Sequence, residues 1–327
     1  MASLWTRRSL LKTKSKESSF CIGFSPDDRF IATAAFDGYL IGYDAGTGVT
    51  KFEYDVTPPG EVLKVPITTF KFRPLGRDMI LLGCCNGTVH HWDPRTQRVA
   101  NTFQEEDNEV YIVDYRMDGN LFATAGRDRT VRVYDEATGQ LTRAFTKASA
   151  LTKAGSIYAL KWLPLDENVI LSGGWENIIA VWDLRVEHKS GLVGEIFGPY
   201  LCGDSLDVSG TTIVTGSHRL DDKISLWDYK KMSKIRDVPW PTRVGDCMVT
   251  CAQFSKDGSL IGTGGGGGLG LKNMGLLIDT ATSEVVHDFQ ADKMVNSVSF
   301  ANKEALVAFG DGAGQVHVFE KKATKAK

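Results

Sequence analysis

The chain has 327 residues and carries 38 Lys and Arg against 40 Asp and Glu, a formal net charge of -2. Charge so close to balance excludes a uniform basic field for nucleic acid, and 42% hydrophobic with 24% charged residues describes an ordinary soluble globular chain. Glycine stands out at 34 residues, about a tenth of the chain against a usual ~7%, and that excess asks for many tight turns and hence β-structure.

This length allows either two domains or one large β-architecture. No apolar run approaches the roughly 18 residues that span a bilayer. Six cysteines, Cys21, Cys84, Cys85, Cys202, Cys247 and Cys251, lie in apolar surroundings with no signal peptide ahead of them. A reducing compartment follows, and the expected location is the cytoplasm, with nuclear or ciliary sites as alternatives.

In chain order, the first 16 residues hold Arg7, Arg8, Lys12, Lys14 and Lys16 and no acid. They read as a β-strand with a basic flank rather than as an organelle transit signal. From about residue 18 one pattern then recurs. An alternating apolar strand leads to a polar turn, a small-residue strand, an acidic or Gly turn, and a strand ending in an aromatic and an acid. The clearest copy is Val110-Tyr111-Ile112-Val113-Asp114-Tyr115, Met117-Asp118-Gly119, Phe122-Ala123-Thr124-Ala125-Gly126, Arg127-Asp128 and Val131-Arg132-Val133-Tyr134-Asp135. Strand, turn, strand, turn, strand is an antiparallel meander.

The closing acids are Asp44, Asp93, Asp135, Asp183, Asp228, Asp279 and Glu320, at intervals of 49, 42, 48, 45, 51 and 41 residues. Tyr43, Trp92, Tyr134, Trp182, Trp227, Ile278 and Phe319 precede them, so three copies end in Trp-Asp. This repeat resembles the WD40 family, over roughly residues 18–320. The resemblance implies an all-β fold, a single seven-bladed β-propeller of four-stranded antiparallel blades, as one domain over residues 1–320 with a basic disordered tail at 321–327.

In blades one to five a polar turn residue stands six places before the aromatic: Asp37, Asn86, Asp128, Glu176 and Asp221. Thr33, Thr124 and Ser172 lie four places before three of these turns. The family links Asp, Ser/Thr, His and Trp in a buried network within each blade. No Gly-His precedes a first strand here, so the histidine member is missing and sheet packing is expected to carry more of the stability. Blade seven supplies only three strands, near 295–300, 305–309 and 315–319. Pairing the N-terminal stretch Ser3 to Lys12 onto it would close the ring and cover an exposed edge.

Candidate chemistry fails on context. Gly203-Asp204-Ser205-Leu206 copies an esterase signature, but no Asp-x-x-His follows and the string falls at a first-strand position. The run from Gly264 to Gly268, with Leu269-Gly270-Leu271-Lys272 after it, lacks the hydroxyl and the helix of a phosphate loop. It reads as a flexible turn of blade six, a mobile lid at most. Cys247 and Cys251 lack a second pair, and the neighbours in Cys84-Cys85 and His90-His91 point to opposite strand faces. No catalytic residue, cofactor, metal or small-molecule substrate is expected.

The resemblance implies a non-catalytic scaffold that binds protein or peptide partners on the face bearing first-strand starts and second-to-third-strand turns. First-strand positions on that face are Phe20, Thr68, Tyr111, Tyr158, Asp204, Thr250 and Asn296; turn positions are Phe36, Cys85, Arg127, Trp175 and Leu220. The expected recognition patch is Tyr111, Arg127, Tyr158 and Trp175, with Phe36 across the ring, because Tyr, Trp and Arg anchor interfaces. Arg127 suits an acidic partner segment, or stacks on Trp175. On the opposite face, Trp92-Asp93-Pro94-Arg95 and Trp182-Asp183-Leu184-Arg185 resemble the motif by which substrate receptors join cullin-4 ubiquitin ligases, which would make Arg95 and Arg185 docking residues. A ciliary or other assembly subunit is a further alternative. Nucleic acid is the weakest reading, since no aromatics interleave the lysines.

Overall fold

A computed structural model describes residues 4–13, 17–146, 155–186, 191–268 and 270–322. Lys14 and Lys16, Leu269 of the glycine run and tail residues 323–327 lie outside the described residues.

Seven antiparallel sheets of four strands each make up the molecule. The innermost strands are Ser19–Phe24, Ile67–Phe72, Val110–Tyr115, Ile157–Leu163, Leu206–Ser209, Met248–Phe254 and Val295–Phe300. Each touches the next, and Val295–Phe300 touches Ser19–Phe24, so the inner strands close a ring around a channel. Among the described residues the helical content is one 3-10 turn, Thr242–Val244.

Closure happens as the strand count requires. Trp5–Lys12 pairs antiparallel with Gln315–Lys321, from Trp5 opposite Lys321 to Lys12 opposite Gln315, and becomes the outer strand of blade seven. The closing acids end third strands, not blades. One further strand follows each of the first six, such as Thr50–Asp55 after Asp44 and Arg98–Gln104 after Asp93. The acid is there to shape that connection: Asp44 Oδ1 accepts from the backbone N–H of Gly46 and Thr47 and from the Thr47 hydroxyl. Asp135 and Asp279 repeat the arrangement with Thr138 and Thr282.

Burial follows strand rank. Ile80–Cys84, a second strand, is buried throughout, whereas the outer strand Arg98–Gln104 is almost wholly exposed and carries the polar residues that guard an edge. Seven apolar clusters fill the seven interfaces between neighbouring blades. Phe52 with Trp92 and Leu82 joins blades one and two, and Leu81 and Val89 with Val110 and Phe122 joins two and three. Second strands are built of small residues because the next blade presses on them. A Cβ added at Gly83 would sit 2.7 Å from Val110 Cγ1, and at Gly216 or Gly264 2.3 or 2.4 Å from Val249 or Val295. The glycine run is therefore partly core: Leu260–Gly266 is a strand, and Gly264, Gly265 and Gly266 are buried. The lid reading does not hold for that half of the run.

Candidate functional site: the channel mouth and its aromatic ladder

Six inner strands open with the same irregularity. Val110 pairs with Gly126 and Ile112 with Ala125, leaving Tyr111 unpaired between them. Phe20, Thr68, Tyr158, Thr250 and Asn296 are skipped in the same way. Each is a β-bulge, and a bulge re-aims its side chain. All six, with Asp204 of blade five, line one mouth of about 300 Å³ that also takes in Cys21, Cys202 and Met294. The seven first-strand positions read from the repeat thus meet around one opening.

Rings continue outward from the mouth. Tyr111 stacks on Tyr158 at 5.1 Å and 12°, and Tyr158 meets Trp175 at 5.3 Å and 36°. Trp175 stacks on Tyr200 at 5.8 Å and 9°, and the guanidinium of Arg219 lies 5.2 Å from the Tyr200 centroid. Trp175 is 44% exposed. Across the ring Phe36, also exposed, leans on Phe20 at 5.9 Å. Tyr111, Tyr158 and Trp175 therefore share one sector, while Phe36 forms a separate pair.

Arg127 does not join the ladder. Its Nη1 lies 3.0 Å from Glu109 Oε1, and Glu109 Oε2 accepts from the Tyr111 hydroxyl at 2.5 Å. Burial, then the Glu109 carboxylate, pushes the Tyr111 phenol up. Tyr200 and Arg219 are the members that the repeat did not indicate. Tyr200 lies in the connection between blades four and five, where no fixed repeat offset applies.

Three residues below each mouth position lies a second ring: Gly23, Lys71, Asp114, Lys161, Asp207, Gln253 and Ser299. Its acceptors stitch neighbouring blades. Asp114 accepts from Trp162 N at 2.9 Å, Asp207 from Phe254 N at 2.8 Å, Gln253 from Phe300 N at 3.1 Å and Ser299 from Phe24 N at 3.4 Å. Lys161 lies 2.9 Å from Asp207, and Lys71 reaches Asp204 at 2.8 Å. Buried charges survive because they are paired.

On the opposite face the two arginines differ. Arg185, its side chain 57% exposed, has its fork engaged: Nε and Nη2 hold Asp183 at 2.9 and 2.7 Å, and Nη2 holds Asp166 at 2.9 Å. Arg95 is loosely held, its Nε 3.9 Å from Asp78 with a side chain 62% exposed. Ser205 is fully buried, and its Oγ has no hydrogen-bond partner among the described residues. No group of three metal-binding side chains occurs among the described residues.

Two family models match. One described as "WD domain, G-beta repeat" covers residues 9–44, and one described as "Anaphase-promoting complex subunit 4 WD40 domain" covers residues 74–165. Similar curated proteins include the APC/C activator protein CDC20 of Saccharomyces cerevisiae, 24% identical over 58% of this chain and 31% of that protein. Protein tipD of Dictyostelium discoideum is 29% identical over 49% and 22%. The guanine nucleotide-binding protein subunit beta of Arabidopsis thaliana is 23% identical over 64% and 56%. The chain thus spans between about a fifth and a little over half of these relatives. Trp-Asp endings at the third strands, the two family-model matches and seven four-stranded blades in a closed ring support the WD40-repeat family of seven-bladed β-propellers for this chain.

Proposed function

We propose that the chain is a non-catalytic platform that holds a protein partner on the face of the channel mouth. One observation carries this reading: four rings from Tyr111 to Tyr200 run in unbroken contact from the mouth to the exposed Trp175. Pre-stacked rings offer a large rigid area that loses little entropy on binding. The partner segment is acidic on this reading. Arg127 lies at the inner end of the ladder and Arg219 at the outer, and Arg219 contacts Asn177 and Tyr200 but no acid among the described residues.

The cytoplasm is proposed on the six free cysteines, four of them buried; burial pushes the thiols of two, Cys21 and Cys247, up to about 11 and about 12. The cullin-4 receptor reading ranks second. Arg95 keeps an available fork, whereas Arg185 is engaged by Asp183 and Asp166. Assembly in a ciliary or other complex would use the same ladder.

The test is quantitative capture from native lysate with wild type beside Arg127→Ala/Trp175→Ala and Arg95→Ala/Arg185→Ala, with circular dichroism confirming folding. A partner lost only with Arg127→Ala/Trp175→Ala supports the ladder. Cullin-4 machinery lost only with Arg95→Ala/Arg185→Ala moves the interface to the other face. Identical lists for all three sink both readings.

A further inference from the structure

The channel has a second opening, a vestibule of about 300 Å³ at the far ends of the inner strands. Its lining includes Lys71, Asp114, Lys161, Gln253, Lys256 and Ser299. Lys71 and Lys161 are each held by a carboxylate, Asp204 and Asp207, neither of which lines the vestibule; Lys256 is held by none among the described residues.

Hydrogen-bonding capacity there is lopsided for a structural reason. Stitching the blades engages acceptors: the Gln253 Oε1 takes Phe300 N–H and the Ser299 Oγ takes Phe24 N–H. The Gln253 amide N–H groups and the Ser299 hydroxyl proton remain as donors. Lys256 adds three more, since it makes no hydrogen bond or ion pair among the described residues. The residue is exposed at the rim, and its pKa is lowered by desolvation and then by Lys161 and Lys71, against the pull of Asp207 and Asp114. Asp207 and Asp114 attract the Lys256 ammonium but neither pairs with it, so an unengaged cation stands beside unused N–H and O–H donors, the combination an oxyanion takes. Asp114 opposes this only in part, because one oxygen is engaged by Trp162 N–H and burial raises its pKa despite Lys161 and Lys71.

We propose that this vestibule binds a small phosphate-class oxyanion, with Lys256, Gln253 and Ser299 as donors. The site lies at the end of the channel opposite the ladder and stands independently of the platform reading.

Calorimetric titration at fixed ionic strength with inorganic phosphate, and separately with pyrophosphate, tests it. Saturable binding is expected for wild type, weakened at least tenfold in Lys256→Met and unchanged in Lys230→Met, an exposed lysine away from the vestibule. Tighter binding of pyrophosphate identifies a diphosphate-bearing occupant; equal binding identifies a single phosphate. No saturable binding by wild type to 10 mM of either probe, or equal affinity in folded Lys256→Met, would overturn the proposal.

Discussion

Lys71 of blade two and Asp204 of blade five meet across the channel, Nζ to carboxylate at 2.8 Å. A wall-to-wall contact ties non-neighbouring blades, which sheet pairing cannot do. Lys71→Met leaves Asp204 without its nearest cation. The side chains are 20% and 29% exposed, so we place the loss at about 2 kcal/mol, below the ~3–5 kcal/mol of a fully buried pair. Urea unfolding measures it, and Lys71→Met/Asp204→Leu should recover part. A single variant as stable as wild type would show that channel water answers the charge.

Two of the channel aspartates, Asp204 and Asp114, should respond oppositely to neutralisation. Burial raises both pKa values, but at Asp204 Lys71 and Lys161 outweigh it and the carboxyl sits below its usual range. At Asp114 burial wins and the carboxyl sits above. A lowered folded pKa contributes stability above the unfolded value of about 3.9, lost as pH falls through the folded pKa. A raised one costs stability at neutral pH, and that cost fades as pH falls through the folded pKa towards about 3.9. At pH 7 Asp204→Asn should destabilise. Asp114→Asn should be neutral to stabilising, since Asn keeps an acceptor for Trp162 N–H. Urea midpoints at pH 7 and pH 4 decide, and equal losses for both variants at pH 7 would contradict this sign.

Ring closure and the mouth were legible in the sequence because both depend on offsets that each blade repeats. The buried hydroxyls were legible only in part. Thr33, Thr124 and Ser172 stand four places before their turns, but strand register assigns the same place to Thr215 and Thr263. Blades five and six have longer second turns, which break the count while leaving the register intact. The histidine gap misled in another way. Blade three rebuilds its network around Glu105, and blade seven uses His317 with Asp311 at 2.9 Å. The lower channel ring was unreadable, because its members share a position but no residue type.

Those hydroxyls set a measurable cost. Trp182 Nε1 donates to Ser172 Oγ at 2.7 Å and Trp227 Nε1 to Thr215 Oγ1 at 2.8 Å, both buried. Blade two has Leu82 at that register, and Trp92 Nε1 has no partner among the described residues. Ser172→Ala and Thr215→Val should each cost about 1–3 kcal/mol, the penalty of stranding a buried donor. Trp92→Phe should cost less than Trp182→Phe, because only the latter forfeits a bond. Thermal unfolding of the four variants gives the ranking; a costlier Trp92→Phe would reverse it.

Glu105 is the hub of blade three. Its carboxylate accepts from Thr124 at 2.5 Å, Asn108 at 2.7 Å, Tyr134 at 2.9 Å and Arg132 at 3.3 Å, with the side chain 1% exposed. Glu105→Ala strands several donors at once and should cost about 3–5 kcal/mol. Glu105→Gln keeps one acceptor oxygen and should cost less. Chemical denaturation followed by circular dichroism would record both, and an unchanged Glu105→Ala midpoint would show the hub to be dispensable.

His90 should make the protein acid-sensitive well above the carboxylate range. Burial pushes its pKa down to about 4, against an unfolded value of about 6.5. The neutral ring shares a 3.0 Å hydrogen bond with Thr102. Because the folded pKa is lowered, the unfolded state takes up protons first as pH falls. Stability is lost from about pH 6.5 down to about 4 and changes little below that on this group's account. Water reaches the outer strand, so we place the loss at about 1–2 kcal/mol. His90→Gln can keep the Thr102 contact without titrating. Wild type and variant should match at pH 7, with the variant more stable by about 1 kcal/mol near pH 4.5. His218 and His287, also lowered by burial, leave residual sensitivity in the variant. Parallel pH profiles for the two proteins would remove His90 as its source.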